Sequence, residues 1–287
     1  MQLSWDDICA TFDSLVREDI LVYGRPQETI EVDCEGYPLQ FKICPALSKK
    51  PHTIGAKLDP SLSLGRRWGP GSDLFCPDER LKIAVLNGTH DLALNLFCVD
   101  RPQFLLLTLD SYRRQHEPLD VDDFSAALNL LRNFPSIYVL FNGGSAAGCS
   151  RVHKHLQGLL GPPRAFDQFV SRDEKNHVPF KYFSHYFDKG FSLTDMLEAT
   201  KAYQGLLSQS RDALKHFGLQ DSEPCAHGLV MWQDWMIMIP RRRSHIEGAG
   251  AATGGMMGCI WSAERKELDE WSRLGCRNVF ESLGIPP

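Results

Sequence analysis

The sequence lacks the features that mark membrane proteins and nucleic-acid-binding proteins. No run approaches the roughly 20 consecutive apolar residues that a helix needs to span a bilayer. Residues 1–7 are acidic and resemble neither a signal peptide nor a transit peptide. The net charge is −5, with 31 Lys plus Arg against 36 Asp plus Glu, so the surface as a whole does not attract polyanions. We therefore expect a protein that spans no membrane and whose main partner is not nucleic acid.

Cysteine pairs with metal-site spacing are also missing. The chain has nine cysteines, an odd number, and no two of them form a CxxC pair. Cys225 and His227 stand close together but lack the spacing of a zinc finger. We expect reduced, mostly buried thiols, which are typical of proteins inside the cell. This predicts a cytoplasmic location and leaves the nucleus open.

Hydrophobic periodicity predicts several strands and a few long helices. Helical spacing marks four segments: residues 3–16, 120–134, 193–217 and 262–274. Strand patterns mark nine others: residues 29–32, 39–43, 81–86, 91–99, 103–109, 136–141, 151–160, 228–232 and 235–239. Residues 45–80 are rich in Pro, Gly, Lys and Ser and are predicted to be a long irregular excursion. The pattern favours one α+β domain over residues 1–287, with a largely antiparallel sheet.

One segment joins a glycine-rich loop to three polar side chains spaced two residues apart. The loop spans residues 142–148, and His153, His155 and Gln157 follow it. On a strand these three side chains would line one face. A neutral imidazole is a nucleophile near pH 7, and a glycine loop can turn backbone N–H groups toward a phosphate. The segment predicts a histidine that attacks phosphorus while the loop and Gln157 hold the phosphate oxygens.

Two plainer interpretations compete with this one. A His-x-His pair on a strand can bind zinc or copper, but it needs further ligands, for which Cys149, His227 and His245 are candidates only in principle. The histidines could also be exposed on an edge strand. Neither interpretation explains the glycine-rich loop or Gln157. The loop itself matches neither the P-loop nor the GxGxxG motif. We predict no metal site held by the protein.

Residues 141–157 resemble the histidine-triad (HIT) superfamily in its transferase form, where the triad reads His-x-His-x-Gln. The variant His-Lys-His-Leu-Gln is similar to that of diadenosine tetraphosphate phosphorylases, also called ATP adenylyltransferases. Galactose-1-phosphate uridylyltransferases share the preceding Gly-Cys-Ser but usually carry prolines between the triad residues. Four other patches also resemble the phosphorylases: residues 45–51, 92–97, 178–183 and 235–242. The resemblance implies a HIT-like fold, in which helices flank a mostly antiparallel sheet.

The resemblance also implies a mechanism. His155 would attack the α-phosphorus of an adenine dinucleotide, expel ATP and carry the adenylyl group until inorganic phosphate removes it as ADP. Gln157 favours transfer over hydrolysis, because an amide can donate to a phosphate oxygen but cannot titrate. His153 would orient His155 by hydrogen bonding that fixes its tautomer, or it would only pack beneath the strand. Lys154 lies on the other face and is expected at the surface or in support of the sheet.

The same resemblance assigns the residues that contact the nucleotide and its phosphates. Besides Gln157 these are Lys50, Asn95, Asn142, Gly148, Cys149, Ser150 and Arg151. The alternative for Lys50 is an ordinary solvated lysine. The chemistry requires no cofactor, and any Mg²⁺ would be carried by the nucleotide, because no carboxylate cluster predicts a protein-held site. The expected partners are nucleotides and phosphate, and the sequence does not predict the oligomeric state.

The chain departs from the family pattern at several positions. A lysine of the family is replaced by Leu96, and a Tyr-Asn pair is replaced by His227 and Gly228. A late asparagine and lysine fall near Ala252 and Ala263. These changes leave the donor and acceptor open, because losing one charged phosphate contact costs about 1.5–3 kcal/mol. Two alternatives therefore stand beside the phosphorylase: a related transferase with another donor, such as a uridylyl donor, and a non-catalytic nucleotide-binding protein.

Overall fold

The computed structural model describes residues 4–24, 26–50, 66–171, 178–220 and 223–287. The helices are α1 (Trp5–Arg17), α2 (Val121–Asn133), α3 (Phe166–Val170), α4 (Gly190–Leu193), α5 (Met196–Lys215), α6 (Thr253–Met256), α7 (Lys266–Leu274) and α8 (Cys276–Leu283). The strands are β1 (Val22–Tyr23), β2 (Glu28–Cys34), β3 (Tyr37–Ile43), β4 (Arg66–Arg67), β5 (Phe75–Cys76), β6 (Lys82–Leu86), β7 (His90–Leu94), β8 (Phe97–Cys98), β9 (Phe104–Thr108), β10 (Ile137–Gly143), β11 (His155–Leu160), β12 (Phe183–Tyr186), β13 (His227–Trp232), β14 (Trp235–Pro240), β15 (His245–Ile246), β16 (Ala249–Gly250) and β17 (Cys259–Ser262).

An eight-stranded sheet organises the molecule. Its strand order is β12-β14-β13-β10-β11-β9-β7-β6, and every neighbouring pair is antiparallel. A smaller sheet has the order β17-β3-β2, in which β17 runs parallel to β3. This arrangement confirms the prediction of an α+β fold with a mostly antiparallel sheet and flanking helices. A single domain over residues 1–287 stays a prediction.

Local sequence explains one hairpin turn of the large sheet and the starts of two helices. Gln233 and Asp234 join β13 to β14 with φ angles of 45° and 65°, and two positive φ angles give the turn whose twist suits a hairpin. The side chain of Asp120 accepts from the first turn of α2, and Asp123 reciprocates, which completes a capping box. Ser4 caps α1 in the same sense.

The central strands are buried on both faces and therefore read as continuous apolar runs. On β10, Val139 and Phe141 join a core with α1, α2 and α5, whereas Tyr138 and Leu140 join a second core with α3, α7, α8 and the small sheet. On β14, Met236 and Met238 face the first core, and the alternating Ile237 and Ile239 face the second. The sheet is thus a layer between two cores, and the glycine-rich loop follows the end of β10.

Several predicted boundaries were wrong. The histidine-bearing strand begins at His155 and not at residue 151, because His153 pairs only with Arg114 in an isolated bridge. The predicted strand 91–99 breaks between β7 and β8 at Asn95. The predicted helix 193–217 is α5 alone, because Thr194 bonds back to Gly190 and closes α4. The last predicted helix starts later, at Lys266, since β17 occupies the residues before it, and α8 was not predicted.

Two other predictions concern the long excursion and the thiols. Residues 51–65 of the predicted excursion lie outside the described residues, and the rest of it contains β4 and β5. All nine cysteines are free thiols, and six of them are buried. No helix among the described residues has both the length and the apolar character needed to cross a bilayer.

Candidate active site

His155 begins β11, and two hydrogen bonds fix its backbone and its ring. Its backbone N–H donates to Oε1 of Gln115 at 2.8 Å, and its Nδ1 lies 2.7 Å from the carbonyl oxygen of His153. Because a carbonyl can only accept, Nδ1 carries the proton and Nε2 holds the lone pair. Burial lowers the pKa of His155 to about 4, although the carbonyl contact opposes that shift. The ring is therefore neutral at pH 7, with Nε2 available as a nucleophile.

The His153 ring has a different environment. Its Nε2 lies 2.9 Å from the carbonyl oxygen of Thr108, and its Nδ1 lies 2.8 Å from the hydroxyl of Ser72. Burial lowers its pKa as well. The imidazole therefore supports the loops around β11, while the main-chain carbonyl of His153 orients His155. The three triad side chains do not form the simple row that the spacing predicted.

A small cavity of about 50 Å³ gathers six of the predicted site residues. We call it the triad cavity, and its polar lining consists of Lys50, Asn95, Ser150, Arg151, His155 and Gln157. Burial, with a smaller contribution from Arg151, lowers the pKa of Lys50 to about 8, so its ammonium group prevails at pH 7. Leu96 stands in the wall of this cavity, where the family resemblance places a lysine. An imidazole, two cationic side chains and two amides thus line the same small cavity.

Gln157 enters this cavity with its amide already oriented. Its Oε1 accepts a hydrogen bond of 2.9 Å from Nε2 of Gln103, so its own N–H₂ group is the end left for a ligand. Asn95 is held similarly, because its Oδ1 accepts from the backbone N–H of Phe97 at 3.3 Å. Both amides can therefore donate to an anionic oxygen.

The remaining predicted residues do not line the triad cavity. The Oδ1 atom of Asn142 accepts from the backbone N–H of Thr253 at 2.9 Å, which fixes the start of α6. Gly148 has a φ of 86° and packs closely on Ala252. A Cβ added at Gly148 would lie 2.9 Å from the Cα of Ala252. Burial raises the pKa of Cys149 to about 11, so this thiol is protonated at pH 7 and is not a reactive thiolate.

A second cavity of about 720 Å³ opens on the other side of Arg151. We call it the arginine cavity, because Arg114, Arg151, Arg241, Arg242 and Arg243 line it together with the loop from Gly143. Its apolar lining consists of Leu214, Phe217, Leu219 and Pro224, and one acidic residue, Glu223, stands against the five arginines of the lining. Arg241 is 2% exposed, and in the described part of the chain its guanidinium bonds only carbonyl oxygens, among them that of Ala251 at 2.6 Å. Such a lining attracts an anion that also carries an apolar group.

Two family models together cover most of the chain. The model of the Ap4A phosphorylase N-terminal domain matches residues 31–168, and that of the ATP adenylyltransferase C-terminal domain matches residues 176–286. The chain belongs to the Ap4A phosphorylase family of the HIT superfamily. It is accordingly an enzyme of the nucleotidyltransferase class. No curated protein sequence matches the chain.

Solved structures agree on the fold of this Ap4A phosphorylase family member. The yeast Ap4A phosphorylase Apa2 superposes with a TM-score of 0.73 at 19% identity, covering 98% of this chain and 97% of Apa2. The Apa2 structure in complex with Ap4A gives 0.72 at 18% identity, covering 98% and 97% of the two chains. At these identities the similarity establishes a HIT-like fold, which confirms the predicted fold.

Two departures from the family pattern are consecutive residues at the start of β13. A Cβ at Gly228 would lie 2.6 Å from Oγ1 of Thr253, so no side chain fits where the family resemblance places an asparagine. His227, in place of the family tyrosine, lies with Nε2 3.1 Å from the hydroxyl of Tyr203 and Nδ1 2.8 Å from the carbonyl of Cys225. Both nitrogens of His227 are thus engaged, as are those of His153, and neither ring is arranged as a metal ligand. Among the described residues, no group of three or more His, Cys, Asp and Glu side chains could hold a metal ion.

Two further residues hold the triad, and sequence reasoning missed both of them. Gln115 is 2% exposed, and its Nε2 donates to the carbonyl oxygens of Asn142 and His155 at 3.1 and 3.0 Å. The carboxylate of Asp73 accepts from the backbone N–H groups of Val152 and His153 at 2.9 and 3.1 Å. Both reach the site from loops far away in the chain, where no motif marks them.

Lys154 supports the sheet from within and does not lie at the surface. Its side chain is fully buried, and its Nζ lies 2.6 Å from Oδ2 of Asp123 and 2.8 Å from the carbonyl oxygen of Pro118. His90 contacts the other carboxylate oxygen of Asp123 at 3.1 Å. The surface role predicted for Lys154 was wrong, whereas the role in supporting the sheet fits these contacts.

Proposed function

We propose that this protein cleaves diadenosine 5′,5‴-tetraphosphate with inorganic phosphate, giving ATP and ADP, and that His155 is the covalent nucleophile. The observation that carries the proposal is the Nδ1 contact of His155 with the His153 carbonyl. That contact leaves the lone pair on Nε2 of a neutral, buried ring, and His155 lines the triad cavity. The reverse reaction would join ADP and ATP by the same adenylyl transfer.

The proposed reaction has two displacements. In the first, Nε2 of His155 bonds to the α-phosphorus, the bond to the bridging oxygen breaks, and ATP leaves with that electron pair. In the second, an oxygen of inorganic phosphate attacks the adenylyl-histidine, which releases ADP and restores the neutral ring. Lys50, Arg151 and the amide of Gln157 would stabilise the non-bridging oxygens, whose charge concentrates in each transition state.

The arginine cavity would bind the half of the substrate that leaves as ATP. Arg151 lines both cavities, so a polyphosphate chain attached to a group in the triad cavity would pass it. Arg114, Arg242 and Arg243 would then face the phosphates, and the apolar residues of the cavity would receive the second adenosine. Any Mg²⁺ would accompany the polyphosphate. We also expect a cytoplasmic location, which fits the free thiols.

The mass of the intact protein tests the proposal. After mixing with diadenosine tetraphosphate without phosphate, the protein should gain the mass of one adenylyl group, and added phosphate should discharge it as ADP. His155→Ala should form no adduct. His216→Ala is the matched control, because His216 is exposed at the end of α5 and should leave adduct formation unchanged. An adduct that persists in His155→Ala would exclude the mechanism.

A second candidate is a transferase for another nucleoside monophosphate. The apolar Leu96 in the triad cavity and the closed position at Gly228 favour it, because both change contacts that the family resemblance assigns to the substrate. The same mass experiment with uracil and adenine donors separates the two candidates. Tight nucleotide binding without an adduct from any donor would instead indicate a non-catalytic binding protein.

A further inference from the structure

Gln103 stands behind the triad and makes two directed hydrogen bonds. It immediately precedes β9 and its side chain is buried, with 3% of the residue exposed. Its Oε1 accepts from the backbone N–H of Val99 at 2.9 Å, and its Nε2 donates to Oε1 of Gln157 at 2.9 Å. Its backbone carbonyl also accepts from the N–H of Asn95 at 2.9 Å. Gln103 therefore contacts the side-chain amide of Gln157 and the backbone of Asn95, two residues that line the triad cavity.

These contacts have only one consistent direction. A backbone N–H can only donate, so the oxygen of the Gln103 amide must face Val99. The nitrogen of that amide then faces Gln157, whose oxygen must accept. The N–H₂ group of Gln157 is consequently the end that remains for the triad cavity.

We infer that Gln103 is a positioning residue, which forces the Gln157 amide to present its donor end, and not its carbonyl, to the phosphate. The inference rests on the proposed adenylyl transfer at His155. With the opposite orientation, the Gln157 oxygen would face a phosphate oxygen and repel it. The Val99 N–H thus fixes the orientation of the Gln103 amide, and Gln103 in turn fixes which end of the Gln157 amide faces the substrate.

Substituting Gln103→Glu tests this polarity with almost no change in shape. An ionised carboxylate accepts at both ends, so the Gln157 amide must turn its N–H₂ group toward position 103. At pH 8 the rate of adenylylation should fall about 100-fold, as expected for loss of one preorganised donor, with a smaller change in KM. As the pH falls and the introduced carboxyl protonates, its O–H can donate to Gln157 again. Relative to the wild-type protein measured at the same pH, the rate of Q103E should therefore recover between pH 8 and pH 5, because the alkaline limb set by Lys50 is common to both proteins and cancels in this ratio.

Gln103→Leu is the control for loss of packing and of hydrogen bonds. It removes both contacts without imposing the wrong direction on Gln157, which can still turn its donor end toward a phosphate. We expect a smaller loss of rate than in Q103E and no new pH dependence. Thermal unfolding of each variant would show whether the loss of rate merely follows the loss of stability.

The inference is overturned if Q103E and Q103L lose equal activity and both keep the wild-type pH profile. If Q103E does not fold, Gln103→His decides, because imidazole can accept from Val99 and donate to Gln157. Retention of rate in Q103H but not in Q103L supports the inference, and equal losses refute it. Failure of the proposed function is distinguishable, because the wild-type protein itself would then form no adduct.

Discussion

The ring of His155 takes its orientation from the main chain of His153 and not from its imidazole. The 2.7 Å contact between Nδ1 of His155 and the His153 carbonyl cannot be removed by changing the side chain at residue 153. The His153 ring instead bonds Ser72 and Thr108, which belong to other segments. The first histidine of the triad therefore serves the second through its backbone and the surrounding loops through its ring.

The pH dependence of adenylylation should have two limbs set by His155 and Lys50. Burial lowers both pKa values, to about 4 for His155 and to about 8 for Lys50. The rate should fall as the pH drops through about 4, because the protonated ring of His155 loses its lone pair. Substrate binding should weaken as the pH rises through about 8, because Lys50 loses its charge. Rapid-quench measurements from pH 4 to 10 check both limbs. Lys50→Arg should abolish the alkaline limb, and persistence of that limb in the variant would contradict the assignment.

Removing arginines from the arginine cavity should weaken the binding of substrates that have a large leaving group more than the binding of other substrates. The double variant Arg242→Ala/Arg243→Ala should raise KM for diadenosine tetraphosphate about tenfold or more, as expected when charged hydrogen bonds are lost. For an adenylyl donor with a small leaving group, such as adenosine 5′-(p-nitrophenyl phosphate), KM should barely change. Steady-state kinetics with both donors provide the comparison. Equal effects on the two donors would show that the cavity does not hold the departing nucleotide.

Gln115 should matter for both stability and rate. Gln115→Met keeps the size of the side chain but removes its contacts with the backbones of Asn142 and His155. Buried groups left without partners should lower the free energy of unfolding by about 1–3 kcal/mol. The adenylylation rate should fall as well, because β11 loses its register at His155. Urea unfolding and adduct formation measure the two effects, and the exposed Gln204→Met on α5 should change neither.

The buried pair of Lys154 and Asp123 should be important for stability. Lys154→Met would leave the Asp123 carboxylate buried without its cation and should cost about 3–5 kcal/mol in urea unfolding. Arg66→Ala removes an exposed ion pair with Glu79 and should cost about 0–1 kcal/mol. A similar small cost for both variants would mean that the interior tolerates the unpaired carboxylate.

The elements that the sequence predicted well are those with strong local signals. The strands predicted at 228–232 and 235–239, which the turn at Gln233 and Asp234 joins, and the helix predicted at 120–134, which Asp120 caps, both follow from short-range patterns. The boundary at residue 151 was predicted wrongly because alternation of side chains continues past the point where pairing stops. Tertiary contacts decide that point, since Asp73 binds the backbone N–H groups before His155 and prevents them from joining the sheet.

By itself the sequence indicated the proposed nucleophile, the amide two residues beyond it and the periodic elements, because each depends on spacing within a short segment. Only the tertiary structure decided which groups orient the histidine and the amide by hydrogen bonding. Gln103 and Gln115 reach the triad through the order of strands in the sheet, and Lys154 is buried because α2 covers its face. Hydrogen-bond direction and desolvation depend on partners that are distant in the chain, and the pattern of one segment does not contain them.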